Sequence, residues 1–419
     1  MGQPASHLLR TVTLLGLSAC GSRDFASGAS QRIAVHQLAS PAGPLAGEPF
    51  LSARSSSGVL MSWLERTPDS TKVAMRVATL DSANHWTAAS DVIRASDLFV
   101  NWADFPSVVQ LADGRLLAHW LQNNSEARPG RIAYDIRMAQ SVDNGSSWTS
   151  VGQPNFPGEA TDHGFVSILP RADSTADILF LSGSPLPPAA GELHGPPMRL
   201  ALSHMRKNGQ LADSAMLLDL RTCDCCQTAA AVTSRGPVIL YRDRSDAEIR
   251  DIAVRRFVNG AWTDAVPLNA DGWMIAGCPV NGPAISAIAD TVAAVWFTAA
   301  HDSAKVQLKF SLDAGVTFEA PIRIDAGHPV GRVDVKLLPQ SDALVTWIEQ
   351  TTKDSTEVRA RLVRRDGTTE PSITLAQVPA GRATGFPRMA RRQNDVVLAW
   401  SAPGKPGSIK LASLTIAPR

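Results

Sequence analysis

The chain has almost no net charge: 40 Lys and Arg stand against 39 Asp and Glu, giving +1 at pH 7 over 419 residues. That balance removes the electrostatic case for nucleic acid or an anionic membrane surface as a partner. No apolar run approaches the roughly 20 residues of a membrane helix. Strongly helical windows are scarce, and 30 glycines and 28 prolines punctuate the chain. Tyrosine is nearly missing; Tyr134 and Tyr241 are the only two. What remains is an ordinary composition, 44% hydrophobic, with length enough for a large core.

The first residues carry an address rather than a fold. His7 and Arg10 precede a short apolar stretch ending in Leu17-Ser18-Ala19-Cys20. Small residues before a cysteine at such a place resemble a bacterial lipobox. The resemblance implies cleavage before Cys20 and acylation of its thiol; the alternative is an ordinary secretory leader with an accidental cysteine. Residues 1–19 are read as signal peptide, 20–31 as a flexible tether and 32–419 as one domain. Gly21 replaces the Asp that would signal inner-membrane retention. The expectation is an outer-membrane lipoprotein, a monomer touching the membrane through its lipid alone.

A repeat dominates the rest. Apolar runs end in Trp63, Trp120, Phe180, Tyr241, Trp296, Trp347 and Trp400, spaced 51 to 61 residues apart. Each is preceded by a strand-like run, such as "PSVVQLA" or "RVDVKLL", and followed by one with period-two alternation, such as "KVQLKFS". A turn, a short fourth strand and a Gly/Pro loop complete the unit. Four-stranded units at this period spell an all-β fold, a β-propeller. The seventh unit stops after its third strand, and "RIAVHQLA" (32–39) is the segment left to supply the fourth. Seven blades closed by an N-terminal strand are therefore expected, with six blades as the alternative.

Between third and fourth strands, "SVDNGSSW" (141–148) returns as "SLDAGVTF" (311–318). Ser141, Asp143, Gly145 and Trp148 correspond to Ser311, Asp313, Gly315 and Phe318. Asp accepts backbone N–H bonds in such a turn, and Gly supplies a positive φ. The pattern resembles the Asp-box, or BNR repeat, of the sialidase superfamily. In that superfamily the box is a structural clip on the face away from the site. The resemblance also implies an arginine triad, an acidic acid/base residue and a late Tyr–Glu nucleophile pair. Here "EPFLSARS" lacks the Arg of the family's first-blade motif, Arg54 coming two or three positions late, and no Tyr follows Tyr241. Release of sialic acid is not expected. Catalytic sialidase domains have six blades, so seven points the same way. As an enzyme the chain would be a glycoside hydrolase or lyase.

Loops running from one blade's fourth strand to the next blade's first should collect on one face. They carry Trp102, Asp104, Asp162, His163, Gln227, Trp273, Asn281, His328, Arg332 and Arg382. Asp104, Asp162 and His163 are candidates for acid/base work. Trp102 and Trp273 are candidates for stacking on a sugar; Gln227, Asn281, His328, Arg332 and Arg382 are candidates for polar or anion contacts. "RTCDCCQT" and "AGCPVNG" bring Cys223, Cys225, Cys226 and Cys278 to adjacent loops. In an exported protein disulfides are the default. A soft-metal site for Cu(I) or Zn(II), or redox-active thiols, are the rival readings. No other cofactor is indicated. "GSPLPPAAGELHGPPM" (183–198) reads as a long insertion over one mouth of the channel or a disordered excursion. The expected function is a binding module for a glycan or an envelope protein; the alternatives are a glycan-active hydrolase or lyase and a periplasmic metal-binding or redox protein.

Overall fold

The computed structural model describes residues 1–2, 32–55, 57–66, 71–124, 133–184, 197–393, 395–403 and 408–417. The leader, Cys20, the tether and most of the 183–198 insertion lie outside the described residues. Ile33–Arg419 form one compact unit of seven antiparallel sheets. Six of the sheets take their strands in sequence order, and the seventh takes its outer strand from the N-terminal end of the unit. Blade one, for example, runs Ala46–Ala53, Val59–Arg66, Val73–Leu80 and Ser90–Ala95. The outer strand of blade four comes as two short pieces, Ala261–Trp262 and Val266–Pro267, both paired with Ile252–Val258. Blade seven holds Arg388–Arg392, Asp395–Ala402 and Ser408–Ile416, and its outer strand is Ile33–Leu38. The register runs from Ile33↔Ile416 to Leu38↔Leu411. The chain is a seven-bladed β-propeller closed by its N-terminal strand.

The aromatic repeat is what joins blade to blade. Trp63, Trp296, Trp347 and Phe180 are fully buried, and Tyr241, Trp400 and Trp120 nearly so. Each ring packs against the preceding blade. Trp120 lies among Leu60, Val73 and Met75 of blade one, and Trp63 meets Val397, Ile409 and Leu411 of blade seven. A buried indole needs a partner for its N–H. Trp63 donates to Glu65 at 2.8 Å and Trp347 to Glu349 at 2.5 Å. The same acids then accept backbone N–H groups of incoming loops, Gly43 at Glu65 and His328 at Glu349.

The two octapeptides form one turn twice. The Ser141 hydroxyl accepts the Gly145 N–H at 2.8 Å and donates to Asp143 at 2.7 Å. Asp143 also accepts the Ser147 N–H at 2.9 Å and its hydroxyl at 2.6 Å. Ser311, Asp313, Gly315 and Thr317 repeat the set. Gly145 has φ +90° and Gly315 φ +79°, a region open to glycine. The Ser147 hydroxyl and N–H, with the Ser141 hydroxyl, hold the Asp143 carboxyl down to about 2. Trp148 and Phe318 pack back on the cores between blades one and two and between blades four and five. Arg54 reaches Asn144 at 2.9 Å, so it serves this turn rather than the opposite face.

Inner strands are laced across blade boundaries by side-chain acceptors. Asp104 accepts the Phe165 N–H at 2.8 Å, Gln227 that of Gly282 at 3.0 Å, Asn281 that of Arg332 at 2.7 Å and Asp334 that of Met389 at 2.7 Å. At Gly282 the approach is to backbone: an added Cβ would stand 2.2 Å from the Gln227 carbonyl oxygen and 2.6 Å from its nitrogen. Neither backbone atom can turn aside. Gly282→Ala is expected to cost about 3 kcal/mol, the upper range for overpacking. An unchanged urea midpoint would show that blades four and five can separate freely.

Candidate functional site

The loops after each fourth strand share one face, opposite the octapeptide turns. At the top of the inner strands the chain bulges, and these bulges aim side chains at the channel mouth. Registers slip between Gly47 and Phe50, between Gly164 and Ser167, and between Gly331 and Asp334. The residue after each glycine has positive φ: Glu48 at 53°, Phe165 at 54° and Arg332 at 55°. Such strain in non-glycine residues accumulates where a side chain has a task.

Trp102, Gln227, Asn281, Arg332 and Arg382 come together there. The Gln227 amide donates to the Ala103 carbonyl at 2.5 Å, tying blade four to blade two across the channel. Arg332 is 6% exposed, sits 4.7 Å over the Trp102 ring and donates to the Gly385 carbonyl at 3.2 Å. Burial, and Arg382 nearby, bring its guanidinium down to about 10. Trp102 stacks on Phe386, with ring centres 5.9 Å apart. Below this plug the axis holds a cavity of about 160 Å³, whose walls include Asp104, Asp334, Lys336 and Arg388. Burial pushes the Asp104 carboxyl up to about 7, against the pull of the Phe165 N–H.

Beside the plug, Glu48, Arg66, Trp102 and Arg382 line an open pocket of about 660 Å³. Burial raises the half-buried Glu48 carboxyl to about 7, opposed by the Arg66 charge. Glu48 and Arg66 were not among the sequence candidates. A signal existed: Gly47-Glu48 stands at the top of its inner strand as Gly164-Phe165 and Gly331-Arg332 do.

Other candidates stand apart from the mouth. His163 is fully buried; its ring contacts the Ser182 hydroxyl at 3.1 Å and the Glu159 carbonyl at 3.1 Å. Burial holds its imidazole below the ordinary range. Asp162 bridges its backbone to Tyr134, and its carbonyl accepts the Gly183 N–H at 2.7 Å. Trp273 is packed edge-on to Phe297 beneath Arg242. His328 is exposed and held by its backbone.

The cysteines do meet. Cys223, Cys225 and Cys226 place their sulfurs within 4.8 Å of one another, and the exposed Cys278 reaches Cys225 from the neighbouring loop. All four are thiols in the structure. Burial opposes ionisation of Cys223, but its thiol neighbours and Arg242 and Arg250 hold it well below the usual range. Burial pushes Cys226 up.

No family model matches the chain, and no curated protein does. Solved structures do. An ulvan lyase of polysaccharide lyase family PL25, bound to -[GlcA(1-4)Rha3S]-, aligns with TM-score 0.56 at 9% identity, over 90% of this chain and 95% of its own. A protein of unknown function from Dyadobacter fermentans gives 0.54 at 13% identity, over 92% and 99%. The polysaccharide lyase Uly1 gives 0.52 at 8% identity, over 89% and 90%. At such identities the likeness is one of fold.

Proposed function

We propose that this is an exported, lipid-anchored envelope protein whose propeller binds an acidic glycan at the channel-mouth face. The pocket lined by Glu48, Arg66, Trp102 and Arg382 carries the reading. Guanidiniums suit carboxylate or sulfate groups, and an indole N–H suits a sugar hydroxyl. Fold relatives that act on polysaccharides, one of them bound to a glucuronate-containing chain, agree with it. The octapeptide turns are read as Asp-boxes, clips on the far face, and Cys20 as the acylated anchor.

Charge makes the binding pH-dependent. With its carboxyl at about 7, Glu48 is neutral at pH 6 and can donate to a ligand carboxylate. At pH 8 it is an anion facing an anion. Affinity for a uronate oligosaccharide should fall as pH rises from 6 to 8, and Glu48→Gln should flatten that fall. Arg382→Ala should weaken binding about tenfold at either pH, the loss of one charge-assisted contact. Calorimetry on uronate, sulfated and neutral oligosaccharides decides the matter. Equal affinity for neutral chains would sink the proposal.

A protonated carboxyl beside a sugar-sized pocket also favours a second reading, a glycoside hydrolase or lyase with Glu48 as general acid. Turnover abolished in Glu48→Gln while binding persists would establish it.

A further inference from the structure

Three buried arginines surround the thiol cluster on the loops of blades four and five. Arg242, Arg244 and Arg250 are 2%, 1% and 0% exposed. Arg244 pairs with Asp224 at 3.1 Å and Glu248 at 2.8 Å. Arg250 shares those two acids, at 2.8 Å from Glu248 and 3.9 Å from Asp224. Arg242 spends its N–H groups on the carbonyls of Asn281, Arg250 and Phe297. Among the described residues no carboxylate lies within ion-pair distance of it. Three buried guanidiniums thus face two carboxylates; at the rim Arg221 adds a fourth and Asp246 a third, so the excess of one stands. A buried guanidinium with no carboxylate partner is costly.

The missing negative charge belongs on sulfur. Arg250 Nη1 points at the Cys223 sulfur from 3.4 Å. A disulfide would be neutral and would leave the imbalance in place. Thiolates holding a cation answer it: a monovalent ion on two thiolates carries one net negative charge and cancels the excess, and on three it carries two and leaves the site one negative. The spacing suits such an ion. Sulfurs bound at about 2.3 Å around a trigonal metal stand about 4 Å apart; here all three pairs lie within 4.8 Å, and the Cys223 and Cys226 sulfurs, 3.2 Å apart, must part slightly to admit the ion. The donor set is sulfur alone, because Asp224 and Glu248 are held by arginines. All-sulfur sets select soft ions. Structural zinc almost always takes four ligands, whereas this buried triangle offers three.

We propose that Cys223, Cys225 and Cys226 form a binding site for Cu(I), with the exposed Cys278 as the sulfur that first meets the ion. Cys278 stands against Cys225, which is half-buried, and behind it lie the buried Cys223 and Cys226. Sulfur thus leads from solvent to the closed triangle. Each thiol that ligates gives its proton to solvent, and no electron is transferred. The exposed Met274, on the same loop as Cys278, adds a second soft donor at the entrance.

The test uses the full chain, purified without an affinity tag, reduced, and titrated with Cu(I) against bicinchoninate. One equivalent should be withheld from the competitor, and the melting temperature should rise with loading, since only the folded state assembles the triangle. Cys225→Ser should lower affinity by at least about 100-fold, more than an outer-shell change costs. Cys278→Ser should keep affinity within about tenfold and load more slowly, being outside the triangle. Should Cys225→Ser fail to fold, the wild-type thermal shift still decides. No retained Cu(I) and no shift in the reduced, folded protein overturns the proposal. So does retention of Zn(II) in preference to Cu(I) with Cys278 required, or a Cys223–Cys226 disulfide that persists when Cu(I) is supplied.

Discussion

Deleting residues 20–40 should lower the melting temperature by about 5 °C and make the protein aggregate. Ile33–Leu38 is the outer strand of blade seven, paired over six residues with the strand Ser408–Ile416. Ile33 is 5% exposed and sits in the core between blades six and seven. Ala39 accepts the Trp86 indole N–H at 2.8 Å, which ties the segment to blade one as well. Losing one buried Ile and a ladder of backbone bonds costs roughly 4 kcal/mol. In a domain of this size that is on the order of 5 °C. The larger consequence is the bare edge of a nine-residue strand, a template for pairing with other chains. Light scattering and thermal unfolding of the deleted chain are the measurements. A monomer melting with the parent would mean that packing between blades, not the closing strand, seals the ring.

Stability should fall as pH rises from about 4 to 7, and Asp104→Asn should remove much of that fall. Asp104 is 3% exposed, and burial raises its carboxyl to about 7 in the folded chain. In the unfolded chain an Asp titrates near 3.9. Between these values the unfolded chain has released the proton and the folded one keeps it, so each rise in pH favours unfolding. The contribution is whole below about pH 4, lost through pH 7 and level above. Three pH units correspond to on the order of 4 kcal/mol. Asparagine retains an oxygen to accept the Phe165 N–H and carries no charge. Asp143 and Asp313, held down to about 2, act with the opposite sign and only at lower pH. The difference between wild-type and Asp104→Asn denaturation curves therefore isolates the wedge. Parallel curves from pH 4 to 8 would show that Asp104 is already ionised in the folded protein.

Seven blades, their strand order and the closing strand were legible in one dimension because each rests on a local period. An alternating strand, a turn with Asp and Gly, and an aromatic every 51 to 61 residues repeat regardless of which residues they later meet. The gathering of Cys223, Cys225 and Cys226 with Cys278 was legible too, since equivalent loops of adjacent blades must be neighbours.

The site was less so. Sequence position placed Trp102, Arg332 and Arg382 on the channel-mouth face, but Trp273 and His163 share that chain position and turn inward. Orientation depends on bulge and packing, which no loop sequence states. Glu48 became visible only when a positive φ at the head of its strand turned it to the mouth, where burial raised its carboxyl. The imbalance around the thiols likewise needed Arg242, Arg244, Arg250, Asp224 and Glu248 in one place. By itself the sequence determined a seven-bladed ring with two faces, because periodicity and turn chemistry are local. Which side chains look into the mouth, and which charges go unpaired, was decided by the tertiary structure, because burial and distance are sums over residues far apart in the chain.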